Sequence, residues 1–345
     1  MEKDLRPRWE KKAAVATDGI ERITFSFYKY VRIEDPKKLQ EELFESWSGL
    51  GCLGRVYVAS EGINAQMNVP KKNWEEFDMF MKSKKEFAEI PYKFAVEGGE
   101  ESSFFKLIVR VKDKIVADGL DDDTFDVTNT GEYLTAKEMN EYVEDPEAVV
   151  IDMRNIYEAE VGHFEGAVCP DVDTFREELK VTPETLKIHK NKKVALYCTG
   201  GIRCEKASAW LKHNGFENVK HLKGGIIDYK HQVEAEGLDN KFLGKNFVFD
   251  ERMGEDIGGQ VISTCHLCAK TKSDTHHHCE NTGCHILFIG CDSCIEKKKG
   301  FCSYKCMTLD KLPKNLKKKL VRNSFKNKAG MYKKHRMQSK FKIGE

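Results

Sequence analysis

No stretch of this chain of 345 residues approaches the roughly 18 consecutive apolar residues of a membrane-spanning helix. Its first residues, Met1-Glu2-Lys3-Asp4-Leu5-Arg6, are charged and lack the apolar core of a secretory signal. Both absences predict a soluble cytoplasmic protein with no membrane partner. No internal repeat is visible, and nothing has the pattern of a nucleotide, flavin, haem or facial-triad iron site. Net charge is also nearly lacking, at +1, but that figure conceals an asymmetry. Residues 307–345 hold 13 Lys and Arg against two acids, Asp310 and Glu345. This basic tail is an electrostatic handle for a polyanion such as RNA, or else simply a solvated segment. Oligomeric state is not written in any of these features.

What is present is enough apolar material, 40% of residues, for more than one core. From Glu21 to Val116 strand-like and helix-like runs alternate. Ile23-Thr24-Phe25-Ser26-Phe27-Tyr28 reads as a strand, and Asp35-Pro36 opens a helix through Leu50. Arg55–Val58 and Ile63–Met67 are strands flanking a Glu61-Gly62 turn. Trp74, Phe77, Phe80 and Met81 predict a helix over Lys72 to Phe87, and Phe94–Val96 and Leu107–Val111 supply the last strands. The order βαββαβ predicts a ferredoxin-like α+β domain over 15–117.

An acidic linker is expected over 118–130. Beyond it, over 131–245, strands and helices alternate as in a doubly wound parallel α/β sheet. Val149-Val150-Ile151 and Val194-Ala195-Leu196-Tyr197 are continuous apolar runs, suited to strands covered on both faces. A helix from Cys204 to Asn214 is expected to end on Gly215. A cysteine-rich module is expected over 246–306, followed by the basic tail 307–345.

The chemistry centres on Cys198-Thr199-Gly200-Gly201-Ile202-Arg203, between the second apolar strand and that helix. A loop of this kind aims successive backbone N–H groups at one point, and the helix N-terminus adds its positive end. Gly200 and Gly201 let the backbone close around whatever the sulfur carries. Arg203 adds a full positive charge, so Cys198 is expected to be a thiolate fit for nucleophilic or redox chemistry. Four residues separate Cys198 from Arg203, whereas cysteine phosphatases have five. The shorter loop suits a single sulfur atom better than a tetrahedral phosphate.

Asp152-Met153-Arg154, Gly162-His163-Phe164 and Leu222-Lys223-Gly224-Gly225 resemble the rhodanese signatures. More narrowly, Cys198-Thr199-Gly200-Gly201-Ile202-Arg203-Cys204-Glu205-Lys206 resembles the hallmark of the rhodanese-domain tRNA uridine hydroxylases. Ser60-Glu61-Gly62-Ile63-Asn64, Asp152 to Glu158, and Phe247-Val248-Phe249-Asp250-Glu251-Arg252 support it. The resemblance implies oxygen-dependent 5-hydroxylation of the wobble uridine of tRNA, with molecular oxygen as co-substrate, tRNA as partner and Cys198 as a persulfide-type cysteine. The alternative is a plain sulfurtransferase carrying sulfane sulfur on Cys198. Asp152 is expected to order the loop or pair with an arginine. Arg154 either binds an anion at the mouth or pairs with Asp152 or Glu158. Cys204 is a candidate resolving thiol.

Eight of the 12 cysteines fall between residues 265 and 306: Cys265, Cys268, Cys279, Cys284, Cys291, Cys294, Cys302 and Cys306. Two C-x2-C knuckles and two further pairs are the complement of two tetrahedral zinc ions with a structural role, with redox disulfides or an iron–sulfur cluster as the alternatives. Sequential and interleaved pairings fit the spacing equally. His266, His276, His277, His278 and His285 are available as substitute ligands.

Overall fold

A computed structural model of the chain describes residues 15, 18–96, 103–121, 125–313, 316, 320, 332–333 and 336–337. The first residues of the chain and most of the basic tail, on which two of the expectations rest, lie outside the described residues.

The N-terminal unit runs β1 (Arg22–Tyr30), α1 (Pro36–Gly49), β2 (Leu53–Ala59), β3 (Gly62–Pro70), α2 (Trp74–Ser83), β4 (Lys93–Phe94) and β5 (Leu107–Val111). Strict alternation in β1 turns Phe25 and Phe27 inward, onto Leu43 and Trp47 of α1 and Phe77 and Met81 of α2. Asp35 caps α1 by accepting the Lys37 and Lys38 amides, with Pro36 in the first turn. The strand order is β4-β1-β3-β2-β5. Its first four members have the ferredoxin-like arrangement, and β5 extends the edge parallel to β2. The helix expected over Lys72 to Phe87 is shorter, ending at Ser83. The Ser83 hydroxyl donates back to the Phe80 carbonyl, competing with the helical ladder, and Phe87 closes the core from the turn beyond.

The central unit contains β6 (Glu132–Leu134), α3 (Ala136–Glu144), β7 (Ala148–Asp152), α4 (Ile156–Ala159), β8 (Gly162–Phe164), α5 (Phe175–Thr185), β9 (Lys193–Tyr197), α6 (Ile202–His213), β10 (Val219–Leu222), α7 (Gly225–Glu236) and β11 (Phe242–Asn246). Its main sheet has the order β6-β10-β9-β7, parallel throughout. Val150, Ala195 and Tyr197 pack toward α3 and α7, while Ile151, Val194 and Leu196 pack toward α5 and α6. That two-sided burial explains the continuous apolar runs. Cys198 follows β9 at the carboxyl end of the sheet, where open α/β sheets form their crevices.

Beyond β11 come β12 (Glu255–Asp256), β13 (His276–His278), β14 (Leu287–Ile289), α8 (Asp292–Lys298), α9 (Tyr304–Asp310), β15 (Tyr332–Lys333) and β16 (Arg336–Met337). The fold is therefore a ferredoxin-like α+β domain, a rhodanese-type α/β domain and a cysteine-rich module, as the sequence predicts. Among the described residues no helix is long and apolar enough to cross a membrane.

Candidate active site

The loop after β9 closes on the sulfur it carries. The Gly201 amide donates to Cys198 Sγ at 3.1 Å. From behind, the Ile226 amide of α7 donates to the Cys198 carbonyl at 3.0 Å and the Ile227 amide to the Thr199 carbonyl at 3.3 Å. This approach needs Gly225, because a Cβ there would fall 2.4 Å from the Cys198 carbonyl oxygen. Burial alone would push the Cys198 thiol up. A hydrogen bond from the Cys204 thiol, the Arg203 charge and the amides of Cys204 and Arg203 outweigh it, bringing the pKa down to about 6. Burial and the bond to Cys198 push the Cys204 thiol well up.

Charges around the loop take partners that the sequence leaves open. Arg203 donates to both oxygens of Glu158, at 2.7 and 2.9 Å, and to the Thr199 hydroxyl at 3.3 Å. Its charge therefore reaches Cys198 already paired with a carboxylate. Glu158 sits at the third position of α4, where its carboxylate accepts the Asn155 amide at 3.1 Å. Arg154 is fully buried, held by Asp152 and by the Gly162 carbonyl. The structure thus places Arg154 on Asp152 beneath the loop and not at its mouth. A buried pair of this kind has its use in fixing the β7–α4 turn that presents Glu158 to Arg203.

The other wall belongs to the N-terminal domain. Two cross-strand rows, Ser26–Gln66–Arg55 and Tyr28–Asn64–Tyr57, lie on the face of its sheet opposite the helices. That face is turned onto the Cys198 loop. The Tyr28 hydroxyl donates to Glu205 at 2.9 Å, and a Cβ at Gly201, where φ is +94°, would meet the same hydroxyl at 2.9 Å. Between the domains lies a cavity of about 630 Å³. Its lining joins Tyr28, Arg55, Tyr57 and Lys93 to Cys198, Thr199, Gly200 and Arg203, with Phe249 and Arg252 from the segment after β11. This size and this mixture of aromatic, basic and amide groups suit a nucleotide better than a small inorganic sulfur donor.

Sequence segments far apart therefore converge here. Lys206 of the reactive-loop motif pairs with Glu61 of the first-domain motif at 3.0 Å and with Asp118 at 2.6 Å. Asp118, at the head of the acidic segment, is buried. Phe249 of the third motif lies 6.0 Å from the Arg203 guanidinium. Tyr28, Lys93 and Tyr133, which also donates to Glu205 at 3.0 Å, carry no local signal of this role. His163 bonds the Ala159 carbonyl at 2.9 Å, a structural placement.

In the C-terminal module the cysteines separate into two groups: Cys265, Cys268, Cys291 and Cys294, and Cys279, Cys284, Cys302 and Cys306. Within each, the sulfur atoms all lie within 4.8 Å of one another. Cys279–Cys306 and Cys284–Cys302 are 3.5 and 3.9 Å apart, near the ~3.8 Å edge of a tetrahedron with 2.3 Å metal–sulfur bonds. The pairing is interleaved, and each group can hold a metal ion. Neither group includes His266, His276, His277, His278 or His285. From the tail, Arg336 is buried against Asp171 and Asp173, so this cation is spent on the protein's own acids.

A helix-backed cysteine loop facing the open face of a ferredoxin-like sheet defines a rhodanese-type protein with a cavity between two domains. Comparison with known proteins agrees domain by domain. Residues 22–115 match the UPF0176 acylphosphatase like domain, residues 135–232 the rhodanese-like domain, and residues 243–307 the rhodanase C-terminal domain. The chain is 50% identical over 336 residues to the tRNA uridine(34) hydroxylase of Leptospira interrogans serogroup Icterohaemorrhagiae serovar Lai, covering 97% of this chain and 89% of that protein. It is also 50% identical over 303 residues to the tRNA uridine(34) hydroxylase of Escherichia coli K12, covering 86% and 84% of the two chains. The chain belongs to the tRNA uridine(34) hydroxylase family.

Proposed function

We infer that this protein is a tRNA-modifying enzyme of the cytoplasm that hydroxylates C5 of uridine 34, with molecular oxygen as co-substrate. The observation that carries the reading is the convergence of three motif-bearing segments, from separate parts of the chain, on one nucleotide-sized cavity holding a thiolate. Cys198 is the catalytic residue, and Thr199 to Arg203 form its cradle. Asp152 and Arg154 support that cradle, and the Cys204 thiol hydrogen-bonds to Cys198. The sheet face with Arg55 and Tyr57 receives nucleotides flanking the target, whose base is drawn out of the anticodon loop toward Cys198. Nucleoside mass spectrometry of tRNA tests this, in a strain lacking the chain and any other route to 5-hydroxyuridine. Loss of the 5-hydroxyuridine-derived nucleosides at position 34 is expected, and their persistence would overturn the reading.

We further infer that the two cysteine groups hold structural zinc. Four buried or half-buried thiolates at tetrahedral spacing, with no place left for water or substrate, are suited to a closed site. Elemental analysis of gently purified protein is expected to give about two zinc ions per chain, and a strong chelator is expected to unfold the module first. Protein free of zinc, with the module still folded, contradicts the assignment.

A further inference from the structure

Lys93 opens the two-residue strand β4, in register with Ser26 of β1. It is 4% exposed, and its ammonium lies 4.3 Å from the centre of the Tyr28 ring. Among the described residues it makes no ion pair within 4.0 Å. A Cβ added at Gly200 would meet the Lys93 stem first, at 3.9 Å, so the side chain crosses the reactive loop and lines the same cavity as Cys198. Burial pulls its pKa down, against Asp228, Cys198 and Glu205, which hold it up. A buried ammonium without a bound carboxylate is costly, and such a cost persists where the charge is used.

The Cys198 thiolate is already served from the rhodanese side by the Gly201 amide, the Cys204 thiol and Arg203. Lys93 comes from the opposite domain, so its charge is available to whatever enters between them. In a uracil ring, C6 is the electrophilic end of a C5=C6 bond conjugated to the C4 carbonyl. A thiolate adding there sends negative charge to O4.

We propose that Lys93 is a catalytic residue that takes up the charge on uracil O4 when Cys198 Sγ adds to C6 of the target uridine. The proposal rests on the hydroxylation reading. In the step, the Sγ–C6 bond forms and the C5=C6 π pair shifts to give an enolate with its charge on O4. The Lys93 ammonium hydrogen-bonds that oxygen, and nothing is oxidised. C5 becomes electron-rich, the condition under which it reacts with an oxidant. Without oxidant, C5 takes a proton from solvent; loss of either C5 hydrogen as a proton then re-forms the enolate, and expulsion of the thiolate from C6 restores uridine.

The test uses the full chain and tRNA labelled with tritium at C5 of uridine, with oxygen excluded, and follows label released to water. Wild type is expected to release label and Cys198→Ala to release none. Lys93→Met is expected to lower both release and aerobic hydroxylation by roughly 100- to 1,000-fold, as for loss of an oxyanion donor. Its tRNA Kd should stay within about threefold of wild type, and Lys93→Arg should recover about tenfold over Lys93→Met. Lys93→Met with near wild-type hydroxylation, or with its whole loss in tRNA Kd, overturns the proposal. So does a wild-type enzyme that hydroxylates in air yet releases no label without oxygen. A wild-type chain that leaves uridine 34 unmodified in air overturns the hydroxylation reading itself, and the proposal with it.

Discussion

Cys198→Ser is expected to lower hydroxylation of uridine 34 by roughly 10⁴-fold while leaving the chain folded, since loss of a nucleophile costs that order. The serine hydroxyl can still accept from the Gly201 amide, so the loop retains its internal bond. What is lost is ionisation, because the cradle lowers a thiol to about 6 and cannot bring an alcohol near neutrality. The wild-type rate should accordingly rise with pH through about 6 and level off above it, the thiolate being the active form. Cys204→Ala removes a donor to that thiolate and should move the inflection upward, toward the ordinary thiol range. Single-turnover rates on tRNA from pH 5 to 8 measure both effects. Cys198→Ser within tenfold of wild type would remove the thiolate from hydroxylation. If the same variant had lost transfer of sulfane sulfur from thiosulfate, the loop would belong to the sulfurtransferase alternative.

How much of this was legible depends on how local each feature is. The reactive loop is legible because strand, cysteine, glycines and helix start all fall between Val194 and Asn214, and the backbone alone dictates where the amides point. The N-terminal sheet is legible because period-two alternation in residues 23–28 leaves one way to bury Phe25 and Phe27. Helix length was less so: Phe87 continues the apolar spacing of α2, yet it reaches the core from a turn.

The partners of charges were not legible, because ion pairs follow packing. Arg203 reads as a full positive charge in the loop, and only the meeting of α4 with α6 gives it Glu158 as a partner. Its one sequence signal is the three-residue spacing from Asn155 to Glu158, which marks a capped helix start but not its neighbour. Tyr28 and Glu205 are 177 residues apart, and nothing in a β-strand tyrosine announces a contact with the helix after the Cys198 loop. Cysteine spacing left two pairings equal, and the interleaved one emerges from how the β13–β14 hairpin and helices α8 and α9 bring the knuckles together.

Lys206→Met should uncouple the two walls of the cavity and destabilise the protein by about 3 kcal/mol, the lower end for breaking a buried ion network. Lys206 and Asp118 are each 2% exposed at the side chain, and Lys206 also holds both oxygens of Glu61 at 3.0 Å. Methionine preserves the stem but strands two carboxylates. The loss is limited because Lys114 still reaches Asp118 at 2.7 Å and Glu61 still accepts the Ile115 amide at 2.7 Å. Although burial alone would raise it, the bonds from Lys114 and Lys206 hold the Asp118 carboxyl below its usual range. A depressed carboxyl gives stability that is present above its unfolded pKa and lost as pH falls through the folded one. The gap between wild type and Lys206→Met in urea midpoint should therefore be widest near neutrality and narrow on acidification. Lys206 does not line the cavity, so any fall in hydroxylation must come from displacement of Tyr28 and Lys93 relative to Cys198. Adding Glu61→Gln to Lys206→Met should cost less than the sum of the two single changes, as for residues in one network. A variant with wild-type midpoint and wild-type activity would show that the domains are held together by other contacts.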